Sequence, residues 1–239
     1  NKDNDLKIFS KKFNGDLTFK LKKIISQNEP IHDFEGSGKI SFGKFHQLKA
    51  KAKFSKNEFL DISIGTISSN KKKLYIYSDR ARPFVNNFSF IKGFREGKLE
   101  YISIYDDKAS ESNLKIYDFK IKKIPILAKL LSLASLQGIA DLLTGEGIRF
   151  SELDLDFKSE NKLLTIDEMY AIGPAISILM SGYIEKNNLV SLRGTLVPAT
   201  TINKAIGSIP LLGKILVGRK VGEGVFGVSF KIKGPPKKL

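Results

Sequence analysis

The 239-residue chain contains no cysteine and only two histidines. Without cysteine, disulfides, thiolate metal sites and cysteine nucleophiles are excluded. His32 and His46 stand apart, without the HxxxH type of spacing that holds a metal ion on one helix face. We therefore expect no metal site and no cofactor.

Patterns that mark catalytic or phosphate-binding sites are also scarce. Residues 222–227 spell GxGxxG, but a dinucleotide site needs a strand before it, a helix after it and an acidic residue ~20 positions on. The residues that follow are strand-like and hold no such acid. Asp154 and Asp156 fall on the solvated side of an alternating strand, and residues 106–107 lie in a polar loop, so general acid–base catalysis is not indicated. We expect no catalytic residues and no enzyme activity.

Long apolar runs are missing too. The longest candidate, 124–143, is interrupted by Lys129, Gln137 and Asp141, whereas a membrane span needs ~20 predominantly apolar residues. We do not expect this piece to cross a membrane. The first residues, NKDND, and the last, GPPKKL, predict a piece of a longer protein, so the lack of a leader says little about the parent.

What the chain has in excess is positive charge, with a formal net charge of +15 and a pI near 9.7. Lysines such as Lys49, Lys51 and Lys53 alternate with apolar residues, which is typical of a solvated sheet face. The alternative is attraction to anionic surfaces, either phospholipid headgroups or nucleic acid. No RRM-like, KH or zinc-finger signature is present, so lipid is favoured and no nucleic acid is expected.

Apolar and polar residues alternate with a period of two along most of the chain, which predicts strands. The short spacing between them favours antiparallel meanders, and one apolar face per strand means that the sheet covers something apolar on one side. The two candidates for this apolar partner are the domain's own core and a groove, and alternation does not separate them. The predicted strands are 17–21, 50–54, 60–64, 74–78, 97–104, 114–121, 153–157, 163–168, 176–184, 189–197 and 225–232.

Two segments have helical composition instead. In 125–144 the apolar residues lie on nearly opposed faces in the two halves, which predicts two short helices broken around 135–138. In 200–217, Thr200 or Thr201 can cap a helix that Pro210 ends. The apolar knob that follows, closed by lysine and arginine, suits a membrane interface if exposed and a packed helix–turn otherwise.

Two blocks of sequence carry a resemblance to a known family. Residues 193–235 read RGTLVPATTINKAIGSIPLLGKILVGRKVGEGVFGVSFKIKGP, and residues 124–157 read IPILAKLLSLASLQGIADLLTGEGIRFSELDLDF, with Gly173-Pro174 between them. Their order resembles the C-terminal region of the AsmA-like proteins of Gram-negative bacteria, a large envelope family with YhdP-like and TamB-like members. The resemblance covers roughly the last half of the chain. The first half is similar only in being a succession of short alternating strands.

The expected fold is mainly β: a curved, twisted antiparallel sheet, as a groove or half-barrel, with short helices inserted near 125–144 and 200–217. Residues 1–122 are expected to form a β groove segment and 123–239 the AsmA-like C-terminal region, in one continuous sheet. The resemblance implies a periplasm-facing protein anchored in the inner membrane, whose groove carries phospholipid toward the outer membrane. The alternatives are a non-conducting scaffold of outer-membrane assembly that binds envelope proteins, and a binder of anionic polymers.

This hypothesis names two sets of residues. The candidate groove lining is Phe19, Leu21, Phe54, Ile62, Leu153, Leu155 and Phe157. The candidate membrane-contact residues are Leu211, Leu212, Lys214, Ile215 and Leu216. Their expected partners are phospholipids and a membrane surface.

Overall fold

A computed structural model of the chain describes residues 12–25, 29–68, 70–85, 93–186, 188–198 and 227–235. Within them, twelve strands form one antiparallel sheet in the order of the sequence, joined by three short helices. The strands are β1 Gly15–Ile24, β2 Ile31–Ser41, β3 Lys44–Ser55, β4 Glu58–Thr66, β5 Lys72–Ser78, β6 Arg95–Tyr105, β7 Ala109–Ile121, β8 Ile148–Glu160, β9 Leu163–Ile172, β10 Ile176–Glu185, β11 Leu189–Pro198 and β12 Val228–Gly234. The helices are α1 Arg82–Val85, α2 Pro125–Leu133 and α3 Gln137–Thr144.

The mainly β, antiparallel class predicted from alternation is confirmed. Among the described strands the sheet is open, with β1 and β12 as its edges, and it is neither closed nor strongly curled. The expectation of a half-barrel is therefore corrected. The pairing of β7 with β8 keeps one register from Ala109↔Glu160 to Ile121↔Ile148, so β7 and β8, on either side of the helical connection, belong to the same sheet.

The two halves of 125–144 form separate helices, as their opposed apolar faces predict. α2 begins at Pro125, whose missing N–H costs nothing in the first turn. Ser135 adopts a positive φ of 59° between the helices, and the Leu136 N–H returns to the Leu131 carbonyl at 2.8 Å. This reversal lets both apolar faces meet the same sheet. The predicted helical segment 200–217 lies outside the described residues.

The longest connections lie at one end of the strands, together with the short β3–β4 and β9–β10 hairpins. α1, α2 and α3 sit in the β5–β6 and β7–β8 connections at one end, which we call the helix end. At the other end, the turn end, hairpin connections of two to five residues join the strands. The main core lies at the helix end, where Leu127 and Leu131 of α2 and Leu143 of α3 pack against Ile148 and Phe150 of β8.

Candidate functional site

The cross-strand register places one apolar residue of every strand in a single row. Residues directly opposite each other in an antiparallel pair share a face of the sheet, so the row can be followed from partner to partner. We call it the central row; it contains no charged side chain, and apart from Ala50 every member is partly exposed. Its members are Phe19, Gly36, Ala50, Ile62, Ile76, Tyr101, Leu114, Leu155, Met169, Met180, Gly194 and Phe230.

A second row runs beside it, one pleat closer to the turn end. It is apolar except at two serines in the middle of the sheet. Its members are Leu17, Gly38, Leu48, Ile64, Leu74, Ser103, Ser112, Phe157, Ile166, Gly182, Leu192 and Ile232. The two rows make one face of the sheet, here called the apolar face, continuous from edge to edge.

The helices cover only part of the apolar face. Toward the helix end, the rings of Phe94, Phe119 and Phe150 stack with centroids 5.4 and 5.3 Å apart, and α2 and α3 pack over them. These three rings are buried. Leu114 of the central row packs against this core but remains half-exposed, and its cross-strand partner Leu155 is half-exposed as well. The apolar face therefore has a covered part under the helices and a half-exposed part along the central row, which we call the uncovered part. Ile76, Tyr101, Leu114 and Phe230 of this row pack against the edge of the core.

Aromatic rings lie over glycines near both edges of the central row. A Cβ built on Gly36 would come within 2.8 Å of the Phe19 ring, and one on Gly194 within 2.6 Å of the Phe230 ring. Each ring therefore occupies space that a larger residue on the neighbouring strand would need. The rings of the two edge strands therefore cover the places in the central row where the neighbouring strands have glycine.

The other face of the sheet is charged across β1–β8, whereas in β9–β12 the row beneath the central row is uncharged. The row beneath the central row alternates in sign over its first strands, with Lys20 Nζ 3.2 Å from Glu35 and Lys51 Nζ 3.9 Å from Asp61. Exposed pairs of this kind contribute ~0–1 kcal/mol each, so their main effect is to keep this face in water. The row is Lys20, Glu35, Lys51, Asp61, Tyr77, Glu100, Lys115, Asp154, Tyr170, Leu179, Thr195 and Ser229.

Asp154 corrects one sequence expectation. Asp156 is exposed as expected, but Asp154 is only 8% exposed because its neighbours on the charged face cover it. Its carboxylate lies 3.0 Å from Lys115 Nζ and accepts hydrogen bonds from Asn113 Nδ2 at 2.6 Å and from the Tyr170 hydroxyl at 3.0 Å. Burial, followed by this hydrogen bond, raises the pKa of Tyr170 to about 12. The carboxylate is thus fully engaged in holding three strands together.

An open pocket of about 590 Å³ lies on the charged face of β1–β5. Most of its lining belongs to the charged face, including Lys20, Glu35, Lys51 and Asp61, but Phe19, Ala50 and Ile62 of the central row also contribute to it. The pocket is open to solvent and encloses no cavity for a hydrocarbon chain.

All seven candidate lining residues fall on the apolar face, but they differ in exposure. Phe19, Ile62, Leu153, Leu155 and Phe157 are half-buried, whereas Leu21 is 47% exposed. Phe54 is 6% exposed and belongs to a small core with Ala52 and Leu60, so it lies inside the domain and lines no open surface. Periodicity alone did not single out Tyr101, Leu114, Met169 and Met180, because only the register shows that they share the row.

The candidate membrane-contact residues lie outside the described residues, as do Gly222 and Gly224 of the GxGxxG segment. In the part of the chain that the structure describes, no group of three or more potential ligands is placed to hold a metal ion. Across the same residues, no helix is both long and apolar enough to pass through a membrane. No protein-family model, curated protein or solved structure matches the chain.

Proposed function

We propose that the uncovered part of the apolar face binds the acyl chains of phospholipids. The central row carries this proposal: twelve consecutive cross-strand partners, none charged and nearly all half-exposed. Burying an exposed methylene against such a surface contributes about 0.8 kcal/mol. A sheet face of this extent needs an apolar partner, and the charged face on the other side of the same strands keeps the sheet in water.

The length of the row supports conduction as well as binding. Strands lie ~4.8 Å apart, so a row across twelve strands is roughly 50 Å long. One acyl tail spans half of a hydrocarbon core of about 30 Å. The row is long enough for several tails in succession, and a lipid could move along it without any charged barrier.

In this proposal the chain is a segment of an AsmA-like protein that faces the periplasm from an anchor in the inner membrane and supports lipid transport to the outer membrane. The resemblance of residues 124–157 and 193–235 supports this part. The net charge of +15 also favours contact with anionic headgroups.

One observation favours the alternative of a non-conducting scaffold. α2 and α3 already cover the helix end of the apolar face, and Leu131 and Leu143 are fully buried there. A protein partner that covers the rest in the same manner would leave no room for lipid. The two functions therefore differ in what occupies the central row.

Site-specific photocrosslinking decides between them. p-Benzoyl-L-phenylalanine is placed at Leu155 or at Asp156, its exposed neighbour on the charged face, in the full chain exported to the periplasm of a Gram-negative bacterium. We expect phospholipid adducts at Leu155 and none at Asp156. Protein adducts at Leu155 without lipid would favour the scaffold, and equal lipid capture at both positions would refute a lipid site on the apolar face.

A further inference from the structure

The sulfur atoms of the chain are gathered at one place on the apolar face. The sequence has no cysteine and two methionines, so its only sulfur atoms are those of Met169 and Met180. The register pairs these two residues directly, Met169 on β9 with Met180 on β10. Residues opposite each other in this way have Cβ atoms about 5 Å apart on the same face of the sheet. Both methionines belong to the central row, the surface that the proposed function uses.

The methionine pair lies outside the packed cores. Both side chains are partly exposed. Among the described residues, neither is part of the two clusters of buried side chains, nor of the partly buried side chains that pack against those clusters. Ala171 and Ile178, which precede the pair on the same face toward the helix end, do belong to the main core or pack against it. The packed core therefore ends one pleat before the two thioethers, which an oxidant in solution can reach.

The residues around the pair on the apolar face carry no hydrogen-bond donor in their side chains. Two of these neighbours lie across the strands in the central row, and four lie along β9 and β10, one pleat to either side. They are Leu155, Gly194, Ile166, Ala171, Ile178 and Gly182. Asp167, the extra residue of β9 where the register shifts, lies 3.4 Å from Lys158 Nζ on the charged face. A polar group formed on either sulfur would therefore depend on water for its hydrogen bonds.

A thioether is the group in this row that a mild oxidant converts from apolar to polar. With hydrogen peroxide, a sulfur lone pair attacks one oxygen, the S–O bond forms as the O–O bond breaks, and the leaving hydroxide takes up a proton to give water. The sulfur is oxidised by two electrons and the peroxide is reduced by two. The product, methionine sulfoxide, is polar, and methionine sulfoxide reductases return it to the thioether.

We infer that Met169 and Met180 form a reversible oxidation site that regulates the apolar face. As thioethers they continue the central row, and as sulfoxides they hold water on it and prevent hydrocarbon chains from lying across β9 and β10. This inference rests on the proposed function, because it adds regulation to the acyl-chain surface. The pairing strengthens the effect: two sulfoxide oxygens opposite each other are both acceptors, so neither can satisfy the other when a hydrocarbon chain displaces the water.

The first measurement asks whether the pair is an oxidation site in the folded protein. The full chain is treated with dilute hydrogen peroxide, and sulfoxide formation at each methionine is followed by peptide mass spectrometry. The control combines Met169→Leu and Met180→Leu with Leu143→Met, which moves the thioether to a position that is fully buried beneath the helices. Exchange of leucine and methionine conserves the side-chain volume.

We expect Met169 and Met180 to be oxidised at least about tenfold faster than the thioether introduced by Leu143→Met, because oxidation follows exposure. The circular dichroism spectrum should be the same before and after oxidation, because the pair lies outside the packed cores. Equal rates at the three positions, or unfolding of the sheet on oxidation, would place the pair in a core and overturn the inference.

The second measurement asks whether oxidation changes lipid binding. Isothermal titration calorimetry is carried out with dihexanoyl phosphatidylcholine below its micellar concentration, before and after oxidation. We expect oxidation of the wild-type chain to weaken binding by about tenfold or more, because two acceptors lose their water when the lipid covers them. Reduction by methionine sulfoxide reductases should restore the affinity. The double variant Met169→Leu/Met180→Leu should bind within about twofold of the wild type and keep this affinity after the same treatment.

Contrary results separate the inference from the function beneath it. If the oxidised and unoxidised wild-type chains bind the lipid equally, regulation by the pair is wrong and the acyl-chain surface stands. The same conclusion follows if peroxide weakens binding by the double variant as much as by the wild type, since the loss then arises elsewhere. If the unoxidised wild-type chain binds no lipid, the proposed function fails and the regulation with it.

Discussion

The covered and uncovered parts of the apolar face are formed by the same strands, but only the covered part packs against helices. On β8, Ile148 and Phe150 are buried beneath α2 and α3, whereas Leu155 and Phe157, farther along the same strand, are half-exposed. The residue types do not differ in hydrophobicity. What differs is the chain that lies above them.

The position of the long connections explains this difference. Antiparallel hairpins need only a few residues to reverse direction, and those at the turn end use two to five. Within the described residues, the connections that carry helices over the sheet are β5–β6 and β7–β8, both at the helix end. An apolar row close to the turns therefore stays exposed unless something outside the described residues covers it. The covered and uncovered parts of the apolar face should then respond differently to substitution.

The largest difference is expected between two phenylalanines of β8. Phe150→Ala should lower the free energy of unfolding by about 3–5 kcal/mol, because it leaves a cavity between two stacked rings and the helices. Phe157→Ala, on the uncovered part, should cost less than about 2 kcal/mol, since its ring is already partly in water. Urea unfolding followed by circular dichroism measures both. Equal losses would show that the two parts are packed alike.

An ionic cluster around Arg80 covers the small core that contains Phe54. Arg80 donates to Glu58 at 2.6 Å and to Glu29, and its guanidinium lies 5.7 Å from the centre of the Phe54 ring. Arg80→Met should lower the free energy of unfolding by about 1–2 kcal/mol, after allowance for partial exposure. Arg149→Met, which removes an exposed pair with Glu96, is the control and should change it by less than about 0.5 kcal/mol.

The pH dependence of this cluster has a definite sign. The hydrogen bond from Arg80 holds the pKa of Glu58 below its ordinary value of 4.5. A lowered carboxyl pKa stabilises the fold above the unfolded-state pKa, and this contribution is lost as the pH falls through the folded value. The stability gap between wild type and Arg80→Met should therefore narrow in acid. A gap that is constant from neutral pH to below pH 4 would contradict the role given to Glu58.

A charge on the uncovered part should be tolerated. Leu155→Asp is expected to keep the β-sheet circular dichroism spectrum and to lower the free energy of unfolding by about 1 kcal/mol or less, because the carboxylate can reach water. Lipid bound along the central row should be lost. Unfolding of this variant would mean that Leu155 belongs to a dry core.

The smallest effect is expected from a substitution of Asp154 on the charged face. Asp154→Asn should lower the pKa of Tyr170 from about 12 toward its ordinary value of 10.0, because the neutral amide no longer favours the protonated phenol. A raised tyrosine pKa stabilises the fold below the unfolded-state value, and this contribution is lost as the pH rises toward 12. Ultraviolet titration of tyrosinate, with Tyr170→Phe to identify the signal, measures the shift. An unchanged titration would contradict the hydrogen bond between these residues.

Much of the fold can be predicted from the sequence where one strand or helix carries its own signal. Leu153, Leu155 and Phe157 alternate with polar residues, and the opposed faces of 125–144 predict the break at Ser135. β2 was not predicted, because its positions on the apolar face include Gly36 and Gly38, which have no side chain to show a pattern. Rings from neighbouring strands occupy that space instead.

The candidate site depends on contacts between strands, which alternation cannot supply. The serines at 103 and 112 read as ordinary polar positions until the register pairs them on the apolar face. Asp154 reads as solvated until Lys115 and Tyr170 close over it. α1, with four residues, was also not predicted, since so short a helix shows no period of its own.

The central claim is that hydrocarbon chains occupy the uncovered part of the apolar face. Because the chain contains no tryptophan, Leu155→Trp or Asp156→Trp gives a single tryptophan on one face or the other, which is excited selectively over the tyrosines. The variants are mixed with phosphatidylcholine whose acyl chains are brominated, and quenching is compared with the unbrominated lipid. The account predicts strong quenching for Leu155→Trp and little for Asp156→Trp, whereas an unquenched, folded Leu155→Trp variant would contradict it.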